Sequence, residues 1–262
     1  MPYVALTIAG SDPSGGAGIQ ADLKSFHQRG VYGTSVITLV TVQNSLRVDA
    51  VETLSPDLVG RQLDALLEDI PPNAAKTGAL GNSAIVQAIA ERAGRFSFPL
   101  VVDPVMISKH GSLLMSEESC RAVAENLLPH AFLVTPNLHE AEVLSGFKVA
   151  DLSSMEQAAR RIAAFGAEAV LVKGGHLDAR ISVDVLLWKD AVRHFKAERV
   201  DTRHTHGTGC TFSAVITAEL AKGRDLLDAV GTAKRFITEA IKSNPGLGKG
   251  AGPVNHHVRI DD

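Results

Sequence analysis

What most limits the fold of this chain is a repeated alternation, in which short runs of β-branched and aliphatic residues give way to longer amphipathic runs, from residue 4 to residue 173. The runs at 4–9, 35–42, 74–77, 99–103, 131–134 and 169–173 read as strands. Several are apolar throughout instead of alternating, the pattern of strands covered on both faces by helices. The residues between them have helical spacing. A first helix is expected at 18–28. Val59, Leu63, Leu66, Leu67 and Ile70 fall on one face of the next, opened by Ser55 and Pro56. Asn82 is placed to cap a run with Ile85, Val86 and Ile89 inward, and Ser116 precedes another with Cys120, Val123 and Leu127 inward. Thr135 and Pro136 fit an N-cap and first helical position, Gly146 fits the stop, and Ser153 with Glu156 has capping-box spacing. Beyond 173, residues 183–188 and 191–200 read as an antiparallel hairpin turning at Lys189 and Asp190, and helices at 209–222 and 226–241 close the chain. Repeated βα units predict one α/β domain over residues 1–262, a mostly parallel sheet with helices on both faces, and a ligand site beyond the carboxyl ends of the strands.

Charge and cysteine usage narrow the partners. With 26 basic and 29 acidic residues the formal net charge is −3, so no positive field attracts nucleic acid or an anionic membrane. The two cysteines, Cys120 and Cys210, make no disulfide framework, and the first residues carry no basic, apolar leader. A cytoplasmic setting and small-molecule ligands are expected.

Two glycine-rich segments lead into helices. Residues 10–18, Gly-Ser-Asp-Pro-Ser-Gly-Gly-Ala-Gly, follow the first strand, and backbone N–H groups at the start of a helix make an anion site. The segment also meets the dinucleotide fingerprint, but the second strand ends Val42-Gln43-Asn44 without the acidic residue that fingerprint needs. No Gly-Lys-Ser or Gly-Lys-Thr of a P-loop occurs. The second segment, Thr205-His-Gly-Thr-Gly-Cys-Thr211, precedes an apolar helix, and the N–H groups of Gly207, Thr208, Gly209 and Cys210 form a second cradle of the kind a transferring phosphoryl group requires. A cysteine at a helix start should have a lowered pKa, which makes Cys210 a nucleophile or base. Cys120, on an amphipathic face, reads as inert core.

Asp103 ends a strand before Pro104, where a carboxylate suits Mg²⁺. Asn137 and Glu140 share a helix face and either hold a metal-bound water or simply stabilise the helix start. Lys173, followed by Gly174 and Gly175, is placed to reach nucleotide phosphates. The histidines, among them His204, His206, His256 and His257, lack the spacing of a zinc site. A Cys210–His206 hydrolase dyad lacks an orienting carboxylate.

Taken as a set, residues 9–22, Gln43-Asn44, Lys76-Thr-Gly78, Val102-Asp-Pro-Val-Met106, Thr135-Pro-Asn-Leu-His-Glu140, Lys173-Gly-Gly-His176 and Thr205-His-Gly-Thr-Gly-Cys210 closely resemble, in order and over nearly the whole chain, the hydroxymethylpyrimidine/phosphomethylpyrimidine kinases of thiamine biosynthesis. The resemblance implies a ribokinase-like three-layer α/β/α sandwich, ATP as co-substrate, Mg²⁺, a homodimer, and two successive phosphorylations of one small pyrimidine. It implies that Gln43 and Asp22 hydrogen-bond the aminopyrimidine and that Gly10, Val105, Met106 and Ala79 line its pocket. Asp103, with Asn137 and Glu140, would serve the metal. Lys173 would neutralise ATP phosphate charge, Gly207 to Cys210 would form the anion hole, and Cys210 would take the hydroxyl proton. Lys109, His110 and Gly111 are expected to form a flap over the phosphates. Ala79 stands where methionine is common in the family, which opens a pyridoxal kinase as an alternative, although Gln43-Asn44 favours the pyrimidine. A sensor that binds the pyrimidine without turnover is the alternative from another class.

Overall fold

The computed structural model describes residues 2–107, 114–175 and 180–260. The 109–111 flap and His176 lie outside them. Strand β1 (Val4–Ser11) leads through the first glycine-rich segment into α1 (Gly18–Gln28), which returns to β2 (Tyr32–Gln43). The chain then departs from the expected rhythm. After a turn at Asn44, β3 (Val48–Thr53) runs back antiparallel along β2, an edge strand that the apolar pattern does not announce. Helix α2 (Pro56–Asp69) follows, with Ser55 accepting from the Leu58 N–H.

Strand β4 (Ala74–Thr77), α3 (Ser83–Ala93) capped by Asn82, and β5 (Leu100–Val102) continue the βα alternation. Helix α4 (Glu117–Ala122) widens over Val123–Leu127 and tightens over Leu128–His130 before β6 (Leu133–Val134). Then come α5 (Leu138–Ser145), α6 (Leu152–Ala163), β7 (Ala169–Val172), the hairpin β8 (Ile181–Trp188) and β9 (Ala191–Glu198), and the helices α7 (Thr208–Ala221) and α8 (Leu226–Lys242).

Two helix starts differ from expectation because a nearby side chain makes the better cap. Helix α5 is capped by Asn137, whose Oδ1 accepts from the Glu140 N–H at 2.9 Å while Glu140 Oε2 accepts from the Asn137 N–H at 2.8 Å. Thr135, expected there, donates its hydroxyl to Asp103 instead. Helix α6 is boxed by Asp151 and Ser154, not by Ser153 and Glu156. The hairpin turns at Lys189 and Asp190 as expected, both at positive φ of 49° and 59°, the geometry of a primed turn built without glycine.

The nine strands of the described residues form one sheet in the order β3-β2-β1-β4-β5-β6-β7-β8-β9, parallel from β2 to β7 and antiparallel at both edges. Successive side chains of a strand point to opposite faces, so Leu100 and Val102 enter one core with α2 to α6, while Val101 enters the other with α1, α7 and α8. Each fully buried Leu or Ile in these layers contributes about 1.5–3 kcal/mol. Helix α7 is buried along its length from Thr211 to Ala221, lying between α1 and α8. Strand order reverses about β1, where connections leave in opposite directions and a crevice opens at the carboxyl ends. Among the described residues no helix is long and apolar enough to cross a membrane.

Candidate active site

The carboxyl ends of β4, β5, β6 and β7 deliver Thr77, Asp103, Thr135 and Lys173 to one rim. The Lys173 N–H donates to the Pro136 carbonyl at 2.8 Å, which sets Lys173 beside Asn137. Its Nζ reaches Asp103 Oδ1 at 2.9 Å. Asp103, 2% exposed, also accepts from Thr135 Oγ1 at 3.2 Å and from Ser213 Oγ of α7 at 3.1 Å. Burial opposes its ionisation, but Lys173 and Lys76 outweigh that and hold its carboxyl below the usual range. Glu140 behaves oppositely. Burial, with the Asp103 charge beside it, raises it to about 7 against the pull of Lys173.

Helix α7 begins beside this pair. Its N-cap, Gly207, offers no side chain, and among the described residues no group accepts from the N–H of Gly209 or Cys210. A Cβ at Gly209 would stand 3.4 Å from Lys173 Nζ and 3.9 Å from Asp103 Oδ2, so open donors, a cation and a carboxylate face one space. Gly207 sits at φ +79°, and a Cβ there would overlap the Gly16 carbonyl. The two glycine-rich segments are thus pressed together, and the Gly18 N–H of α1 points at the Cys210 sulfur.

The first segment is closed. Asp12, buried, accepts from the N–H groups of Ser14, Gly16 and Ala17 and from the Ser14 hydroxyl. The anion site expected over residues 10–18 therefore holds the chain's own carboxylate, because Asp12 lies within the turn that forms it. No spacing in the sequence singles out Asp12; its partner His206 lies 194 residues away, with Nε2 2.8 Å from Asp12 Oδ2.

Three expected roles change. Asp22 is fully buried and its oxygens accept from Lys76 Nζ, both at 2.9 Å, and from Thr7 Oγ1 at 2.6 Å. Lys76 and Thr7 occupy the carboxylate oxygens that the resemblance assigned to the aminopyrimidine. Cys210 is half-buried, and its thiol is pushed up to about 12 by burial and by the charges of Asp22 and Asp103, against the pull of Lys76. The resting thiolate expected from a helix start is overturned, since two carboxylates and desolvation outweigh the helix N–H groups. Asn137 likewise spends its oxygen on the α5 cap.

The other expected residues surround the crevice. Gln43 ends β2 with its side-chain nitrogen 3.1 Å from His206 Nε2. The Ala79 carbonyl accepts from Thr38 Oγ1 at 2.6 Å, and Gly10 packs so closely on Leu39 that a Cβ would come within 2.5 Å of its Cδ1. Val105 is half-buried, Met106 is buried, and the Met106 N–H donates to Glu140. Cys120 is buried in α4, with its thiol pushed up by burial.

The described residues contain no cluster of three or more His, Cys, Asp or Glu placed to hold a metal by themselves. Asp103 and Glu140, two buried carboxylates in each other's field, nonetheless fit magnesium, which takes one or two carboxylates and completes its shell from phosphate and water.

Residues 12–255 match the model of the phosphomethylpyrimidine kinase family. The chain belongs to that family. It is 48% identical, over 99% of its length and 95% of the relative's, to the hydroxymethylpyrimidine/phosphomethylpyrimidine kinase of Staphylococcus aureus. Among solved family structures, the phosphomethylpyrimidine kinase of Clostridium difficile is 43% identical with a TM-score of 0.81, covering 91% of this chain and 99% of its own. The pyridoxal kinase of Staphylococcus aureus, in complex with AMP-PCP and pyridoxal, is 37% identical with a TM-score of 0.91, covering 98% and 94%.

Proposed function

We propose that the chain is an ATP-dependent kinase that phosphorylates 4-amino-5-hydroxymethyl-2-methylpyrimidine and then its monophosphate, yielding the diphosphate for thiamine biosynthesis. The observation that carries this reading is the open start of α7 beside Lys173 and Asp103, in a member of the phosphomethylpyrimidine kinase family.

Phosphoryl transfer asks a protein mainly for positioning and charge stabilisation. The open N–H groups of Gly209 and Cys210 receive the charge growing on the γ-phosphoryl oxygens, where one such donor is worth about 3–4 kcal/mol. Lys173 holds a fixed positive charge on the phosphates. Asp103 and Glu140 would hold Mg²⁺, which when bound neutralises phosphate oxygen charge. Gln43, Gly10, Ala79, Val105 and Met106 bound the pyrimidine, and Asp22 acts behind them by holding Lys76. Cys210 faces the acceptor hydroxyl. A neutral thiol cannot take the proton, so the first step runs through the small thiolate fraction of Cys210, which grows with pH and accepts the hydroxyl proton as the P–O bond forms. The second acceptor is already an anion and needs no base.

Turnover of the hydroxymethylpyrimidine, its monophosphate and pyridoxal with ATP and Mg²⁺, products resolved by mass, tests the reading. Mono- and diphosphorylated pyrimidine is expected. Phosphorylated pyridoxal alone would replace the pyrimidine, a second reading favoured by the TM-score of 0.91 to a pyridoxal kinase and by the small Ala79. Background ATP consumption with normal ligand binding would leave a binding protein.

The same reading places one kinase domain, carried by a single sheet, in the cytoplasm, where ATP is available and free Cys120 and Cys210 persist. It also holds that two copies pair, because Val40, Val42 and Leu46 stand 44%, 57% and 51% exposed on the β2–β3 ribbon. Sedimentation at the mass of one chain would remove the dimer.

A further inference from the structure

Three distant segments meet at one imidazole. His206 is buried; its N–H donates to the Gly252 carbonyl at 3.0 Å, and its carbonyl accepts from the Val254 N–H at 3.2 Å. Its Nε2 lies 2.8 Å from Asp12 Oδ2 and 3.1 Å from the side-chain amide of Gln43. A single ring nitrogen thus faces two groups.

Their chemistry decides which atom carries the proton. An ionised carboxylate only accepts, and Asp12 Oδ2 already accepts from the N–H groups of Gly16 and Ala17. Nε2 must therefore be the N–H end of the ring. An amide NH₂ at 3.1 Å from that N–H would set donor against donor. The two ends of an amide have the same shape and are told apart by their partners, so the end of Gln43 that faces His206 is its carbonyl oxygen. Among the described residues no other group hydrogen-bonds the Gln43 side chain.

We propose that Asp12 and His206 are positioning residues for substrate selection: through Nε2–H they hold the Gln43 carbonyl and turn its NH₂ toward the crevice, as a donor for an unprotonated ring nitrogen. The inference rests on the reading that Gln43 touches the substrate ring. It adds a direction to that contact. A heteroaromatic ring with a bare nitrogen at this place is selected, and one presenting N–H or C–H there is disfavoured.

The test combines steady-state KM values for the pyrimidine and for ATP with the ¹⁵N spectrum of the His206 ring in the parent. Gln43→Glu keeps an acceptor for His206 but removes the donor to the ring, and is expected to raise the pyrimidine KM roughly 10–100-fold with ATP KM within about twofold. His206→Leu frees the amide and should act in the same direction. His206→Gln, with an N–H near the position of Nε2, should return the pyrimidine KM to within roughly threefold of the parent. The ring spectrum should show Nε2 protonated.

Unchanged KM in Gln43→Glu would mean that Gln43 does not touch the ring, and the substrate contact itself falls. A raised KM in Gln43→Glu with none in His206→Leu would leave the contact standing and overturn only the orienting role. Pyrimidine and ATP KM rising together in both His206 variants would reduce His206 to a structural clamp. An unprotonated Nε2 overturns the proposal without any variant, so misfolding of His206→Leu does not shield it.

Discussion

Two glycine-rich loops lead into α1 and α7, helices that pack against each other, yet the loops differ in what their N–H groups face. In the first, Asp12 fills the turn and takes the donors of Ser14, Gly16 and Ala17. In the second, the donors of Gly209 and Cys210 stay open beside Lys173 and Asp103. A helix start is an anion site only if the chain has not already supplied the anion. Glycine content gives both loops the same promise, and one carboxylate withdraws it from the first.

The largest effect is expected from closing the second loop. Gly209→Val would direct its side chain at Lys173 and Asp103, and kcat/KM should fall by about 10²–10³ with the fold retained; a change under about threefold would place the phosphate elsewhere. Cys210→Ala should lower kcat for the hydroxymethylpyrimidine by about 10² and affect the monophosphate much less. Because the thiol is pushed up to about 12, the parent's first-step rate should climb as pH rises from 6 to 9, and the variant's profile should lie flat. A flat parent profile would remove Cys210 as proton acceptor.

Opening the first loop should cost stability and, through His206 and Gln43, raise the pyrimidine KM while leaving kcat little changed. Asp12→Ala leaves two or three N–H groups without an acceptor, a loss of about 2–3 kcal/mol in denaturant unfolding. If inorganic phosphate restored that loss and also improved turnover, the first loop would be a latent phosphate site, contrary to the contrast drawn between the loops.

The smallest effect concerns Glu140. Its pKa is raised from 4.5 to about 7, so the folded protein prefers it protonated. That contribution is complete below about pH 4.5 and is lost as pH rises through 7. Glu140→Gln should flatten the pH dependence of unfolding over this window, with a relative gain on the order of 3 kcal/mol at pH 8 in metal-free buffer. The same substitution should raise the Mg²⁺ requirement for turnover.

The parallel strands of the sheet and their helices were legible because most of these strands are apolar runs and each helix shows its buried face in its spacing. Strand β3 was not. Val-Asp-Ala-Val-Glu-Thr is exposed on both faces at the sheet edge, so burial writes no pattern into it. The helix caps at Asn137 and Asp151 show that two polar candidates two residues apart cannot be ranked from spacing alone. Within the site, Lys173, Asp103 and Cys210 were legible from their positions at strand ends and a helix start. The closure of the first loop was not, because glycine spacing does not show that the Asp12 side chain turns back onto the N–H groups of its own turn; its partner His206, 194 residues away, is beyond any local pattern. Nor was the Cys210 pKa, which depends on Asp22 and Asp103, brought near it only by the fold. Local patterns carry local electrostatics, and this site is set by long-range ones.

The contrast between the loops is tested most directly by following backbone amide ¹H–¹⁵N shifts while AMP-PCP and Mg²⁺ are titrated into the full chain. The largest downfield shifts are expected at Gly209 and Cys210, with Gly16 and Ala17 moving far less because Asp12 still holds them. Shifts at Gly16 and Ala17 that match or exceed those of Gly209 and Cys210 would show nucleotide phosphate displacing Asp12, and would contradict the account.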